Sequence, residues 1–130
     1  MGVTRMNHFT VLTDRLDETL AFYRDHLGLA PGARPPFSFA GAWLYAEGGA
    51  EPILHIVAGR AAGELHAGVI DHMAFTGRDL AGTVGKLKAR GVRYELRKLP
   101  GQWSTWQLFF QDPNGAKVEI DFDPDEPAPA

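Results

Sequence analysis

Four residues of this 130-residue chain have the type and setting of metal ligands: His8, His55, His72 and Glu119. Each interrupts a run of apolar residues that reads as a β-strand. Phe9 follows His8, Leu54 and Ile56 flank His55, Met73 follows His72, and Val118 and Ile120 flank Glu119. Side chains alternate across a strand, so these apolar neighbours face a core and the four polar groups take the opposite face. A buried imidazole or carboxylate without a partner is costly. Four of them on equivalent strands satisfy each other through a shared cation. The chain has no cysteine, so the ligands are nitrogen and oxygen. Such a set suits one divalent ion: Zn, Ni, Fe, Mn or Co. His55 has a second reading, as a hydrogen-bonding neighbour of a three-ligand face made by His8, His72 and Glu119.

The elements that must position these residues occur twice. Residues 5–12 read as a strand, and 14–27 as a helix with Leu16, Leu20, Tyr23 and Leu27 on one stripe. Asp14 is the expected cap and Gly28 the stop. Strands are expected over 42–47 and 52–58. The second half repeats this order, with strands 69–76, 92–98, 104–111 and 116–122, and a helix over 79–90 weakened by Gly82 and Gly85. Adding 64 to each number lays His8 on His72, His55 on Glu119 and Leu16 on Leu80. An ungapped repeat of this length predicts an α+β fold. Two βαβββ modules, residues 5–58 and 69–122, are related by an approximate two-fold axis. They form a cupped mixed sheet with helices on the outer face, in one domain over residues 1–122. The stretch 123–130 is acidic and proline-rich and is expected to fray as a tail.

Composition excludes several classes. Charged residues make up 22% and the net charge is -3, which argues against a basic nucleic-acid face. No apolar run reaches the length of a membrane span, and the first residues lack a signal-peptide pattern. The default expectation is a cytoplasmic protein.

Trp43, Trp103, Trp106 and Gln107 are the candidates for substrate contact, with Phe37 and Phe39 nearby in sequence. The competing reading has most of these aromatics packing the core or a dimer interface. Arg97 and Lys98 read as solvated strand-end charges, and His26 and His66 as surface residues.

Several segments together resemble the vicinal-oxygen-chelate superfamily, which includes glyoxalase I, extradiol dioxygenases, fosfomycin-resistance enzymes and bleomycin-binding proteins. They are Met6-Asn7-His8-Phe9-Thr10-Val11, Ala21-Phe22-Tyr23-Arg24-Asp25-His26-Leu27-Gly28-Leu29, Ile70-Asp71-His72-Met73-Ala74-Phe75 and the Asp112-Pro113-Asn114-Gly115 turn leading to Glu119. The resemblance spans about residues 5–122. It implies metal ligands at His8, His55, His72 and Glu119. It also implies a small-molecule substrate chelated through neighbouring oxygens, and a homodimer. Glu119 is then the catalytic candidate, a ligand throughout or a group that detaches to take a proton. Many glyoxalase-type members carry Glu or Gln where this chain has His55, which puts a two-carboxylate proton shuttle in doubt. The leading expectation is a glyoxalase-like lyase or isomerase. The alternatives are a ring-cleaving dioxygenase using non-haem iron and a non-catalytic drug-binding resistance protein.

Overall fold

The computed structural model describes residues 1–60 and 69–130. His66 lies outside the described residues. The first module runs β1 (Phe9–Thr13), α1 (Leu16–Leu27), β2 (Ala30–Pro31), β3 (Gly41–Tyr45) and β4 (Pro52–Ala58). The second runs β5 (Met73–Thr76), α2 (Leu80–Ala89), β6 (Tyr94–Lys98), β7 (Trp106–Gln111) and β8 (Lys117–Phe122), with a short 3₁₀ turn at Gly101–Trp103. Each module makes its own four-stranded mixed sheet, in the orders β1-β4-β3-β2 and β5-β8-β7-β6. The first strand of each is parallel to the last, and the remaining pairs are antiparallel. This is the α+β fold of two βαβββ modules that the repeat predicts.

The repeat is visible in the strand register. Phe9 pairs with Leu54 and Thr10 with His55; 64 residues on, Met73 pairs with Val118 and Ala74 with Glu119. The hairpins depart from it. Trp43 faces His55, whereas Gln107 faces Asp121, two positions beyond the strict repeat. A register shift between Leu44 and Tyr45 accompanies the difference. Because the slip is two residues, side chains keep their faces.

The helix ends are built from local chemistry. α1 starts at Leu16, and Asp14 does not cap it. No side chain caps this helix; Thr13 Oγ1 instead accepts from the Arg15 amide at 2.9 Å in the turn just before it. Gly28, at φ 70°, lets the Gly28 and Leu29 amides return to the carbonyls of Arg24 and Tyr23. In α2 the Asp79 carboxylate accepts from the Gly82 amide at 3.0 Å. A Cβ on Gly82 would lie 2.2 Å from that carboxylate, so this helix glycine makes room for the cap. The Glu126 carboxylate also accepts from the Asp79 and Leu80 amides, at 3.2 and 2.6 Å. The stretch expected to fray is therefore docked: its acidic side chain fits the unsatisfied amides of a helix start.

One core joins the modules. Val11, Leu44, Leu54 and Ile56 from the first sheet and Met73, Leu108, Val118 and Ile120 from the second belong to a single cluster with Phe22, Tyr23, Val84 and Leu87 of the helices. Phe22 of α1 packs on Phe110 of β7, with centroids 5.9 Å apart. The buried Tyr23 hydroxyl donates to Asp112 at 2.7 Å, and Thr13 donates to Asn114 at 2.7 Å. The helix-bearing faces of both sheets thus share one interior. Their opposite faces carry the candidate ligands, His55 on β4 and Glu119 on β8. Among the described residues no helix is long and apolar enough to cross a membrane.

Candidate functional site

His8 and His72 stand immediately before β1 and β5. Each has a short polar residue in front of it, and the geometry is the same in both modules. His8 Nδ1 lies 2.7 Å from Asn7 Oδ1, and His72 Nδ1 lies 2.8 Å from Asp71 Oδ2. An amide or carboxylate oxygen only accepts, so in both rings Nδ1 carries the donated proton. Nε2 is left as the free nitrogen. Asp71 is further held by Lys117 at 3.1 Å, and these contacts, that of His72 first, hold its carboxyl below the ordinary range.

The second module aims its two candidates at one point. His72 Nε2 lies 2.7 Å from Glu119 Oε2. An imidazole lone pair and a carboxylate are both acceptors, so this contact needs a positive charge between them, a proton or a metal ion. Glu119 is buried, and its other oxygen accepts from Gln107 Nε2 at 2.8 Å. Gln107 in turn accepts from Arg97 Nε at 2.8 Å. Arg97 is therefore a buttress of the site rather than a free strand-end charge; its guanidinium also lies over Phe109, whose ring meets His72 edge-on.

The first module arranges its pair differently. The His8 and His55 rings are stacked, with centroids 3.7 Å apart and planes 15° from parallel. Trp43 covers the other face of His55 at 4.3 Å and 9°. Imidazole lone pairs lie in the ring plane, so two rings stacked in this way do not converge on one ion. His55 is committed to packing between Trp43 and His8, and its Nε2 is buried without a hydrogen-bond partner among the described residues. Burial, followed by the neighbouring His8, lowers its pKa.

The four candidates therefore form two pairs, one on each sheet. Among the described residues of one chain, no group of three or more His, Asp or Glu is placed to share a metal ion. The donor types nevertheless fit a divalent cation, and Nε2 of His8 and His72 is already selected for it.

Of the substrate candidates, Trp43 and Gln107 lie beside the pairs. Trp106 does not: it faces Phe122 across the ladder, packs against the core, and donates to the Glu126 carbonyl at 3.0 Å. Trp103 is 76% exposed in the 3₁₀ turn. Phe37 and Phe39 stack at 4.9 Å under the Arg34 guanidinium, and Phe37 meets Trp43 at 6.2 Å. His26, expected at the surface, is only 5% exposed because α1 turns it toward Phe22 and Phe110.

Sequence patterns do not single out Asp121, which shares the face of Glu119 two residues along β8. Its Oδ1 is buried without a partner among the described residues. Its pKa is pushed up to about 6, by burial first and then by the neighbouring Glu119 carboxyl. Asp121 overlays Val57 in the repeat, so internal symmetry gives no signal for it.

Comparison with known proteins agrees with this architecture. The profile of the Glyoxalase/Bleomycin resistance protein/Dioxygenase superfamily matches residues 5–120. Glyoxylase I 4 of Arabidopsis thaliana is 32% identical over 128 residues, covering 92% of this chain and 71% of that protein. A glyoxylase/bleomycin resistance protein/dioxygenase domain from Frankia sp. EAN1pec superposes with a TM-score of 0.74 at 18% identity, over 97% of this chain and 96% of that one. The fosfomycin resistance protein FosX of Listeria monocytogenes does so with a TM-score of 0.70 at 17% identity, over 94% and 95%. A FosX variant bound to Mn(II) and 1S,2S-dihydroxypropylphosphonic acid gives 0.71 at 17% identity, over 93% of each chain. With a profile match across nearly the whole chain and a relative above 30% identity, this protein belongs to the glyoxalase/bleomycin resistance protein/dioxygenase superfamily.

Proposed function

We propose that the chain is a divalent-metal-dependent enzyme that performs lyase or isomerase chemistry on a small substrate gripped through two neighbouring oxygens. His8, His72 and Glu119 hold the ion, and His55 supports His8 by stacking. The observation that carries this reading is the contact of His72 with Glu119: two acceptors aimed at one another at 2.7 Å, with the far nitrogen of His72 already engaged by Asp71. The Mn(II) and vicinal diol bound to the FosX variant are in keeping with it.

The site is completed by a second copy of the chain. Among the described residues of one chain no three of these groups share a point, so His8 of one protomer joins His72 and Glu119 of its partner. A symmetric dimer then carries two equivalent sites.

The bound ion supplies Lewis-acid stabilisation of negative charge on the substrate oxygens. The residues of the chain do the rest. Gln107 fixes Glu119 Oε1, which leaves Oε2 as the atom that binds or takes a proton. Asp121 supplies a second carboxyl beside it, which the ligand set alone lacks. Trp43 and His55 wall one side of His8 against water.

The test is metal-replete protein with hemithioacetals and with α-hydroxy and α-keto thioesters. Turnover that disappears in Glu119→Gln is expected, and no turnover across that panel contradicts the reading.

One observation favours a second chemistry. With His55 committed to stacking, the remaining set is two histidines and one carboxylate, which leaves open positions and suits non-haem Fe(II). Anaerobic loading with Fe(II), followed by catechol and oxygen, separates the two. A ring-cleavage absorbance would select the dioxygenase, and its absence the lyase or isomerase.

A further inference from the structure

On the helix side of the molecule, away from the candidate ligands, a half-open groove of about 610 Å³ runs between the modules. One wall is the end of α1 from Arg24 to Leu29. The other is the α2 stripe of Asp79, Gly82, Thr83 and Lys86. Its apolar surface comes from three elements: Leu27, Ile53 and Phe75 pack on the core but stay half-buried. The volume lies within the range of about 300–1,000 Å³ usual for small-ligand sites.

Two polar features of this groove have no use in the fold. His26 lines it, is only 5% exposed, and has an Nδ1 without a hydrogen-bond partner among the described residues. Buried polar atoms are normally satisfied, so the exception calls for a partner. Lys86 is the second feature. Among the described residues the carboxylates of the groove are already taken: Asp25 by Arg24 and Arg90, Glu47 by Arg78, and Asp79 by its own helix start. No carboxylate is paired with Lys86 among the described residues. Burial, then the charge of Arg90, lower the pKa of His26; Asp25 pulls the other way, and Lys86 adds a smaller lowering.

We propose that this groove is a second ligand site and that it takes a small amphipathic carboxylate. The head group pairs with Lys86, and its hydrogen bond from His26 Nδ1–H requires the occluded ring to turn from Phe22 and Phe110 toward the groove. The apolar chain lies along Leu27, Ile53 and Phe75. The site is independent of the metal reading, because it shares no residue with the ligand pairs.

Isothermal titration of the full chain with octanoate tests this, with octanol and octylamine as uncharged and cationic counterparts. Saturable binding at one site per chain is expected, with octanol and octylamine weaker. Loss of a charge-assisted hydrogen bond lowers affinity by about tenfold or more, so Lys86→Ala and His26→Leu should each show such a drop. Lys86 is exposed, so its variant keeps the fold. His72→Ala and Glu119→Gln should bind octanoate as wild type does. Absence of saturable binding to wild type overturns the proposal. So does equal affinity in wild type and Lys86→Ala, or a loss confined to the His72 and Glu119 variants.

Discussion

His72 and Glu119 touch, nitrogen to oxygen at 2.7 Å, while the equivalent pair 64 residues earlier, His8 and His55, lies ring on ring at 3.7 Å. The repeat has the same strand positions in both modules and different chemistry at them. The second module offers two donor atoms to one point. The first offers a single free nitrogen, on His8, steadied by its neighbour.

That asymmetry predicts unequal losses of metal. His8→Ala, His72→Ala and Glu119→Ala should each abolish stoichiometric binding of Mn(II), read by elemental analysis after dialysis. His55→Phe keeps a flat ring between Trp43 and His8 and should retain metal. Metal loss in His55→Phe as complete as in His72→Ala would make His55 a ligand.

The residues in front of the histidines should matter through them. Asp71→Ala leaves His72 Nδ1 without its acceptor, and Asn7→Ala does the same to His8. Partners of this kind change metal affinity by about 10–100-fold. Calorimetric titration with Mn(II) should show that drop in both variants while circular dichroism stays as in wild type. Unchanged affinity would mean that the rings are oriented by packing alone.

Asp121 gives a pH dependence of definite sign. In the folded, metal-free protein its carboxyl keeps its proton up to about pH 6, against an ordinary value of 3.8. The folded state therefore binds more protons than the unfolded state between these values. The contribution of Asp121 to stability is fully present below the lower value and is lost as pH rises through the upper one. Asp121→Asn removes the group. With chelator present, urea unfolding should show the variant gaining on wild type as pH is raised from the lower value through the upper. A constant difference across that range would show that Asp121 titrates normally.

The modules are held to each other by a buried hydrogen bond. Tyr23 is fully buried and Asp112 is 5% exposed, and burial first, then the Asp112 charge, raise the tyrosine pKa far above its ordinary value, so it stays a donor. Tyr23→Phe leaves Asp112 with the Asn114 and Ala116 amides. The loss should be about 1–3 kcal/mol in urea unfolding. A change near zero would mean that water replaces the hydroxyl.

Much of this was legible in the sequence because it depends on local pattern. The spacing of Leu16, Leu20 and Tyr23, the alternation around Leu54 and Ile56, and the offset between His8 and His72 specify elements, faces and equivalences. Three things were not local. The stacking of His8 on His55 depends on the hairpin register that sets Trp43 opposite His55. The burial of His26 depends on the packing of α1 against β7, a contact between modules. The docking of Glu126 depends on α2 starting at Leu80, where two amides await an acceptor. Asp121 belongs to a fourth kind, a site residue present in one copy of the repeat only.

In the proposed dimer each metal site draws on two chains. His8→Ala and Glu119→Ala each disrupt both sites of their own dimer, so neither protein alone should hold Mn(II). When the two are unfolded together and refolded, a mixed dimer has one site carrying both changes and one site carrying neither. Elemental analysis of the purified mixed dimer should then find one Mn(II) per two chains. A mixed dimer that holds no metal would rule out the shared site and place all the ligands of a site within a single chain.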